Sequence, residues 1–166
     1  MSAISNTGVL LDAIMKQDLK KCHAMSKIDV SREILSRYRF GALGQCPLHV
    51  AVLMAANSID ALSGEKRDRG VEMIEWLLQA GAELDVQNSL GGTPLKLALF
   101  NANVGIVSIL ISAGANISFE KNDSYGRSAL HLACTSIRHF SNDCLRTVQY
   151  LIQKRVDVSH RDKVCS

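Results

Sequence analysis

Thr93-Pro94-Leu95-Lys96 opens a stretch that runs without a gap through Ala98, Val104, Ile109-Leu110-Ile111, Ala113-Gly114-Ala115 and Asn116-Ile117. Each part has a local structural meaning. The Thr93 hydroxyl is placed to cap a helix, and Pro94 is tolerated at the first helical position, where its missing N–H would have no helical partner. Leu95 and Ala98 are three apart and face inward. Asn101 to Val104 makes a tight turn. A second helix follows, with Ile106, Val107, Leu110 and Ile111 on one side. Gly114 stops it, because glycine takes the left-handed conformation past a helix end without steric cost. Asn116 then begins an extended finger.

The same pattern recurs on both sides. Upstream it reads Cys46-Pro47-Leu48-His49-Val50-Ala51, followed by Trp76-Leu77-Leu78-Gln79-Ala80-Gly81-Ala82. Downstream it reads Ser128-Ala129-Leu130-His131-Leu132-Ala133, followed by Tyr150-Leu151-Ile152. This resembles the ankyrin repeat family, and the resemblance covers roughly residues 8 to 162. It implies an all-α helical solenoid of about four repeats, made of stacked antiparallel helix pairs with fingers at right angles. Partners of the family usually dock on the concave face formed by fingers and first helices.

The spacing locates the irregularities. Thr93 to Ser128 is 35 residues, against a usual period of about 33. The two extra residues fall in the finger Glu120 to Tyr125. Cys46 to Thr93 is 47 residues, about fourteen over the period. That surplus lies between the two helices of its unit, around Ala55 to Gly70. In the last unit a surplus of about six residues lies near Arg138 to Cys144. The expected organisation is one domain over 1–166, with a degenerate capping repeat at 8–30 and repeats at 43–88, 91–122 and 126–162. In the capping unit Leu10 to Met15, Asp18-Leu19 and Ile28 to Val30 form a polar-edged version, with Lys16, Lys20, Lys21 and Lys27 suited to the water-facing end. A long finger, Ser31 to Gly44, joins it to the next unit. Asp157 to Asp162 begins a further finger, so the chain is expected to stop at a repeat seam. Lys154-Arg155-Val156 replaces the glycine stop there, which puts Arg155 in a left-handed position at a cost of roughly 1 kcal/mol.

Composition narrows the function classes. The net charge is +3 and aromatic residues are few, which gives no case for nucleic acid as a partner. Cysteines stand at 22, 46, 134, 144 and 165, without a C-x-x-C pair. Reduced, mostly buried thiols in an intracellular protein, cytoplasmic or nuclear, are the simplest reading. The N-terminus lacks the features of a secretory signal, and the longest apolar run, Val50 to Ala56, is too short to span a bilayer.

No catalytic pattern stands out, and the expectation is a non-enzyme without cofactor, metal or small-molecule substrate. Leu90-Gly91-Gly92-Thr93 is a finger rather than a phosphate loop. His131 and Cys134, with His139 and Cys144 near in sequence, lack standard zinc spacing. Cys134 reads as a small apolar residue on its helix. The resemblance gives His49 and His131 a structural role, bonding the backbone of a neighbouring repeat. Lys96 replaces that histidine, so this bond is expected to be lost and its ammonium to sit at the edge. Ser63 to Gly70, the densest charge run, reads as a solvated loop of mixed sign, and Met54 to Leu62 as a possible extension of the first helix. Trp76, Ile109 and Tyr150 match in register and are expected between helices.

The finger tips are the binding candidates: Asn88, Ser89 and Leu90, then Asn122, Asp123, Ser124 and Tyr125. Leu90 and Tyr125 are apolar or aromatic where the family usually has small polar residues, and exposed aromatics are frequent hot spots. The alternative is packing of Tyr125 on its neighbouring finger. The expected function is a protein-interaction module, an adaptor or scaffold. Two alternatives stand beside it: an inhibitor masking a transcription factor, similar to inhibitor-of-κB proteins, or the N-terminal regulatory part of a larger protein.

Overall fold

The computed structural model describes residues 3–26, 35, 37–57, 64–118, 125–135 and 142–156. Among these, eight helices form four pairs: α1 (Ala3–Met15) with α2 (Leu19–Ser26), α3 (Pro47–Asn57) with α4 (Gly64–Gln79), α5 (Pro94–Phe100) with α6 (Val104–Ser112), and α7 (Ala129–Cys134) with α8 (Asn142–Gln153). Each helix packs on its pair-mate. The first helices α1, α3, α5 and α7 also pack in succession, and so do α2, α4, α6 and α8. The result is the expected all-α solenoid, a two-layer ladder in which each pair packs on its neighbours. No helix among the described residues is long and apolar enough to cross a membrane.

The central pair follows the local rules closely. Thr93 Oγ1 accepts from the Lys96 N–H at 3.2 Å and Asn103 Oδ1 accepts from Ile106 N–H at 3.2 Å, so both helices carry side-chain caps. Leu95, Ala98, Leu99, Ile106, Val107 and Leu110 are buried between the layers. At the ends of α4 and α6 Gly81 and Gly114 are left-handed, with φ 90 and 99°. The next N–H reaches back to close each helix, Ala82 to Leu77 O and Ala115 to Leu110 O, both at 3.0 Å. Arg155 takes the same position after α8, with φ 57°, and Val156 N–H closes on Leu151 O at 3.3 Å. The closure thus forms without glycine, against the steric cost expected for a side chain there.

The polar edge of the first pair is also as expected. Asp12 binds Lys16 at 2.7 Å and Lys21 at 2.9 Å. Hydrogen bonds from these two ammonium groups hold its carboxyl below the usual carboxylate range. Lys27 and residues 28–30 lie outside the described residues.

Three local expectations need correction. Gly64 to Gly70 is not a loop but the start of α4, a 16-residue helix; Ser63 lies outside the described residues. Glutamate, lysine and arginine are good helix formers, so a charge run is no argument against helix. Gly70 lies inside this helix. It is buried, and a Cβ there would stand 2.6 Å from Ala55 Cβ, so glycine allows α3 and α4 to meet closely. The extension of the first helix holds from Met54 to Asn57, and residues 58–63 lie outside the described residues. The stretch Ser31 to Gly44 is not all finger either, since Leu35 and Arg37 are helical and Leu35 is fully buried. In the last unit Cys144 lies inside α8, and residues 136–141 lie outside the described residues.

Candidate protein-docking face

The face begins with two tight turns. Phe40 and Gln45 pair as an antiparallel bridge, exchanging N–H···O bonds at 2.7 and 2.9 Å around Gly41 and Gly44. In the next finger Asn88 N–H donates to Gly92 O at 2.9 Å. The Asn88 carboxamide oxygen accepts from Leu90 N–H at 3.0 Å and from Gly92 N–H at 2.8 Å. Asn88 is therefore turned inward, 8% exposed. It shapes the tip instead of presenting itself on it, whereas Ser89 and Leu90 face outward.

Two bonds tie one finger to the next. Ser89 N–H donates to Leu43 O at 2.9 Å. His49, fully buried, reaches from α3 to Gly92 O with Nε2 at 2.8 Å. A carbonyl can only accept, so Nε2 carries the proton and Nδ1 is the acceptor. Nδ1 receives the Cys46 N–H at 3.2 Å and the Cys46 thiol at 2.9 Å. Burial holds the His49 pKa below the ordinary histidine value and keeps the ring neutral near pH 7. This is the inter-repeat role that the resemblance implied. His131 shows the local half of it: its Nδ1 lies 2.8 Å from Ser128 Oγ and accepts the Ser128 N–H at 3.3 Å, capping α7.

Lys96 departs from expectation. Its ammonium is not at the edge. The side chain is buried and Nζ donates to Gly91 O at 3.2 Å, folding back onto its own finger. The flexible four-carbon stem lets the ammonium turn back to this carbonyl.

Three exposed apolar side chains share one register. Leu43, Leu90 and Tyr125 each stand three residues ahead of the helix-capping position, at Cys46, Thr93 and Ser128. They are 43, 74 and 56% exposed. Arg127 lies over the Tyr125 ring at 4.8 Å, a cation–π contact that stiffens the aromatic tip. Tyr38 and Phe40 stack beside the first tip with ring centres 5.0 Å apart. A second exposed apolar position falls at the ends of first helices. Met15 and Phe100 stand two residues ahead of left-handed Gln17 and Ala102.

Of the predicted tip residues, Ser89, Leu90 and Tyr125 are exposed and Asn88 is buried. Asn122, Asp123 and Ser124 lie outside the described residues. Leu43, Met15 and Phe100 were missed. Register would have found Leu43, since it precedes Cys46 as Leu90 precedes Thr93. Trp76 is buried, with His23 edge-on at 6.3 Å, and Tyr150 is half-buried under Lys154 Nζ at 5.5 Å.

Elsewhere the chemistry is sparse. Cys22, Cys46 and Cys144 are buried thiols, while Cys134, on its helix as expected, is exposed. Burial pushes the Cys22 thiol up to about 11 and raises that of Cys46. Among the described residues no three His, Cys, Asp or Glu side chains group as metal ligands; His139 lies outside them. A cleft of about 280 Å³ lies between Ala55, Val71, the start of α6 and Arg146, and Arg146 pairs with Asp143 at 3.8 Å.

A family model described as ankyrin repeats, in three copies, matches residues 65–162. The human B-cell lymphoma 3 protein is 34% identical over 119 residues, 72% of this chain and 23% of that protein. Its mouse homologue is 36% identical over 120 residues, again 72% and 23%. The ankyrin repeat, SAM and basic leucine zipper domain-containing protein 1 of Echinops telfairi is 36% identical over 85 residues, 51% of this chain and 17% of that protein. The chain thus spans less than a quarter of the length of these relatives.

Proposed function

Because this chain belongs to the ankyrin-repeat family, whose repeats are protein-interaction modules, we propose that it is a non-catalytic adaptor that docks an intracellular protein partner on its finger tips. The observation that carries this reading is the repeated register of Leu43, Leu90 and Tyr125. A single exposed leucine needs no explanation. Three large apolar groups at one structural position, on successive fingers tied by the Ser89–Leu43 and Asn116–Asp85 hydrogen bonds, form a row with desolvation energy available to a partner. Ser89, also exposed, supplies a hydroxyl at the rim, and the first-helix ends at Met15 and Phe100 extend the contact area.

A photo-crosslinking residue placed at 43, 90 or 125 tests the surface. All three positions should capture the same protein, and position 112, exposed at the end of α6, should not. Capture from 112 with none from the tips would move the partner to the other layer. The similarity to the B-cell lymphoma 3 protein favours a second, narrower reading, in which the partner is a transcription factor and docking masks it as inhibitor-of-κB proteins do. A captured protein without DNA-binding activity would leave the adaptor reading and remove this one.

A further inference from the structure

Cys134 and Cys144, which the docking face does not use, lie on opposite members of the last helix pair. Cys134 ends α7 and is exposed; Cys144 is in the first turn of α8 and is buried. The Cys144 sulfur sits 3.3 Å from the carbonyl oxygen of Ala133, the residue bonded to Cys134. The central pair shows what this closeness means. There Ala98 O, at the corresponding place in α5, receives the Asn103 N–H at 3.2 Å across a two-residue turn. In the last pair a thiol takes the place of that N–H. Partial burial raises the Cys134 pKa, and the nearness of Cys144 raises it further.

We infer that Cys134 and Cys144 form a reversible disulfide under peroxide, a modification site that staples α7 to α8. The chemistry balances in two steps. The Cys134 thiolate, the accessible one, attacks hydrogen peroxide; its sulfur is oxidised to a sulfenic acid and, with a proton, water leaves. The Cys144 thiol then attacks that sulfur, the S–S bond forms, and a second water leaves. A dithiol reductant reverses the link. The raised Cys134 pKa makes the first step slow at neutral pH and faster as pH rises. The two cysteines are ten positions apart, so the closed loop is short and local, and the other helix pairs are left unconstrained.

The full chain provides the test. Reduced protein is exposed to a small excess of hydrogen peroxide, remaining thiols are alkylated in denaturant, and the chain is cut with trypsin without reductant. Cleavage after Arg127, Arg138 and Arg146 separates the two cysteines. The expected product joins peptide 128–138 to peptide 139–146, two hydrogens lighter than their sum. It should disappear with dithiothreitol and be absent from Cys134→Ser. Cys134 lies on the surface, so that variant should fold, with circular dichroism as the check. Cys165→Ser should leave the product unchanged. Cys134 driven to sulfinic or sulfonic acid with Cys144 still alkylated would overturn the inference, and so would pairing of either cysteine with Cys165.

Discussion

Gly70→Ala sets two opposite effects against each other. Alanine is better than glycine inside a helix by about 0.8–1 kcal/mol, and Gly70 is well inside α4. Against this, the new methyl would stand 2.6 Å from Ala55 Cβ and 3.0 Å from Ala55 Cα. Both contacts are with short, inflexible atoms, so the helices themselves must separate. Overpacking of this kind costs about 1–3 kcal/mol. At the middle of that range it outweighs propensity, and the loss should be about 1 kcal/mol, rising if α3 cannot shift. Near this chain length that is about 2–4 °C in melting temperature. Gly105→Ala supplies the control. It is also helical but exposed, and its added methyl would meet only Asn103 Oδ1, at 3.4 Å. There the unfolded-state and propensity gain should stand alone, stabilising by about 0.4–1 kcal/mol. Urea unfolding followed by circular dichroism reads both. The two substitutions should shift the midpoint in opposite directions. A stabilised Gly70→Ala would refute the close approach of α3 and α4 and restore the view of this segment as loosely attached.

Leu110→Ala removes a fully buried side chain and should cost about 2–5 kcal/mol; a loss under about 0.5 kcal/mol in the same assay would place it at the surface. Leu90→Ala with Tyr125→Ala should weaken partner binding by about 2 kcal/mol or more, some thirtyfold, while stability moves by less than about 1 kcal/mol; unchanged binding with a large drop in melting temperature would make the row finger packing. For His49 the sign follows from its lowered pKa. The unfolded chain binds the proton more readily, so stability is fully present above the ordinary histidine value of 6.5 and is lost as pH falls through the lower folded value. Urea midpoints at pH 7.5, 6 and 5 should fall for the native chain and fall less for His49→Gln, which cannot titrate.

What could be read from the chain and what could not divide along a physical line. The capped helices of the central pair were legible because each signal is local. Thr93, Pro94 and Gly114 act on their own backbone, and Leu95, Ala98 and Leu110 repeat with the helix period. Even Arg155 was legible, since the left-handed stop is a backbone requirement that the repeat fixes in register. The misreadings concern side-chain surroundings that the local pattern does not carry. Gly70 carries the same letter as a helix stop, and only its proximity to Ala55 shows that it is a packing glycine. Lys96 looks like a lost histidine bond until its reach to Gly91 O is seen. Cys134 has the residue type of a core position but not the neighbours that would bury it.

The docking face lies between these cases. Local chemistry singled out Leu90 and Tyr125 because each is unusual at its own position, but it also selected Asn88, a residue spent on holding the turn. Polar residues at a tight turn have two uses, and sequence does not separate them, because the deciding quantity is whether the carboxamide finds backbone N–H groups. Asn88 finds two, so it fixes the tip that carries Leu90. Leu43 was passed over for the opposite reason: a leucine next to glycines is unremarkable alone. It becomes informative only when aligned through Cys46 with Thr93 and Ser128. In the proposed docking mode the signal is therefore the repetition across fingers, which supplies what a single finger lacks, a row long enough for a partner to cover.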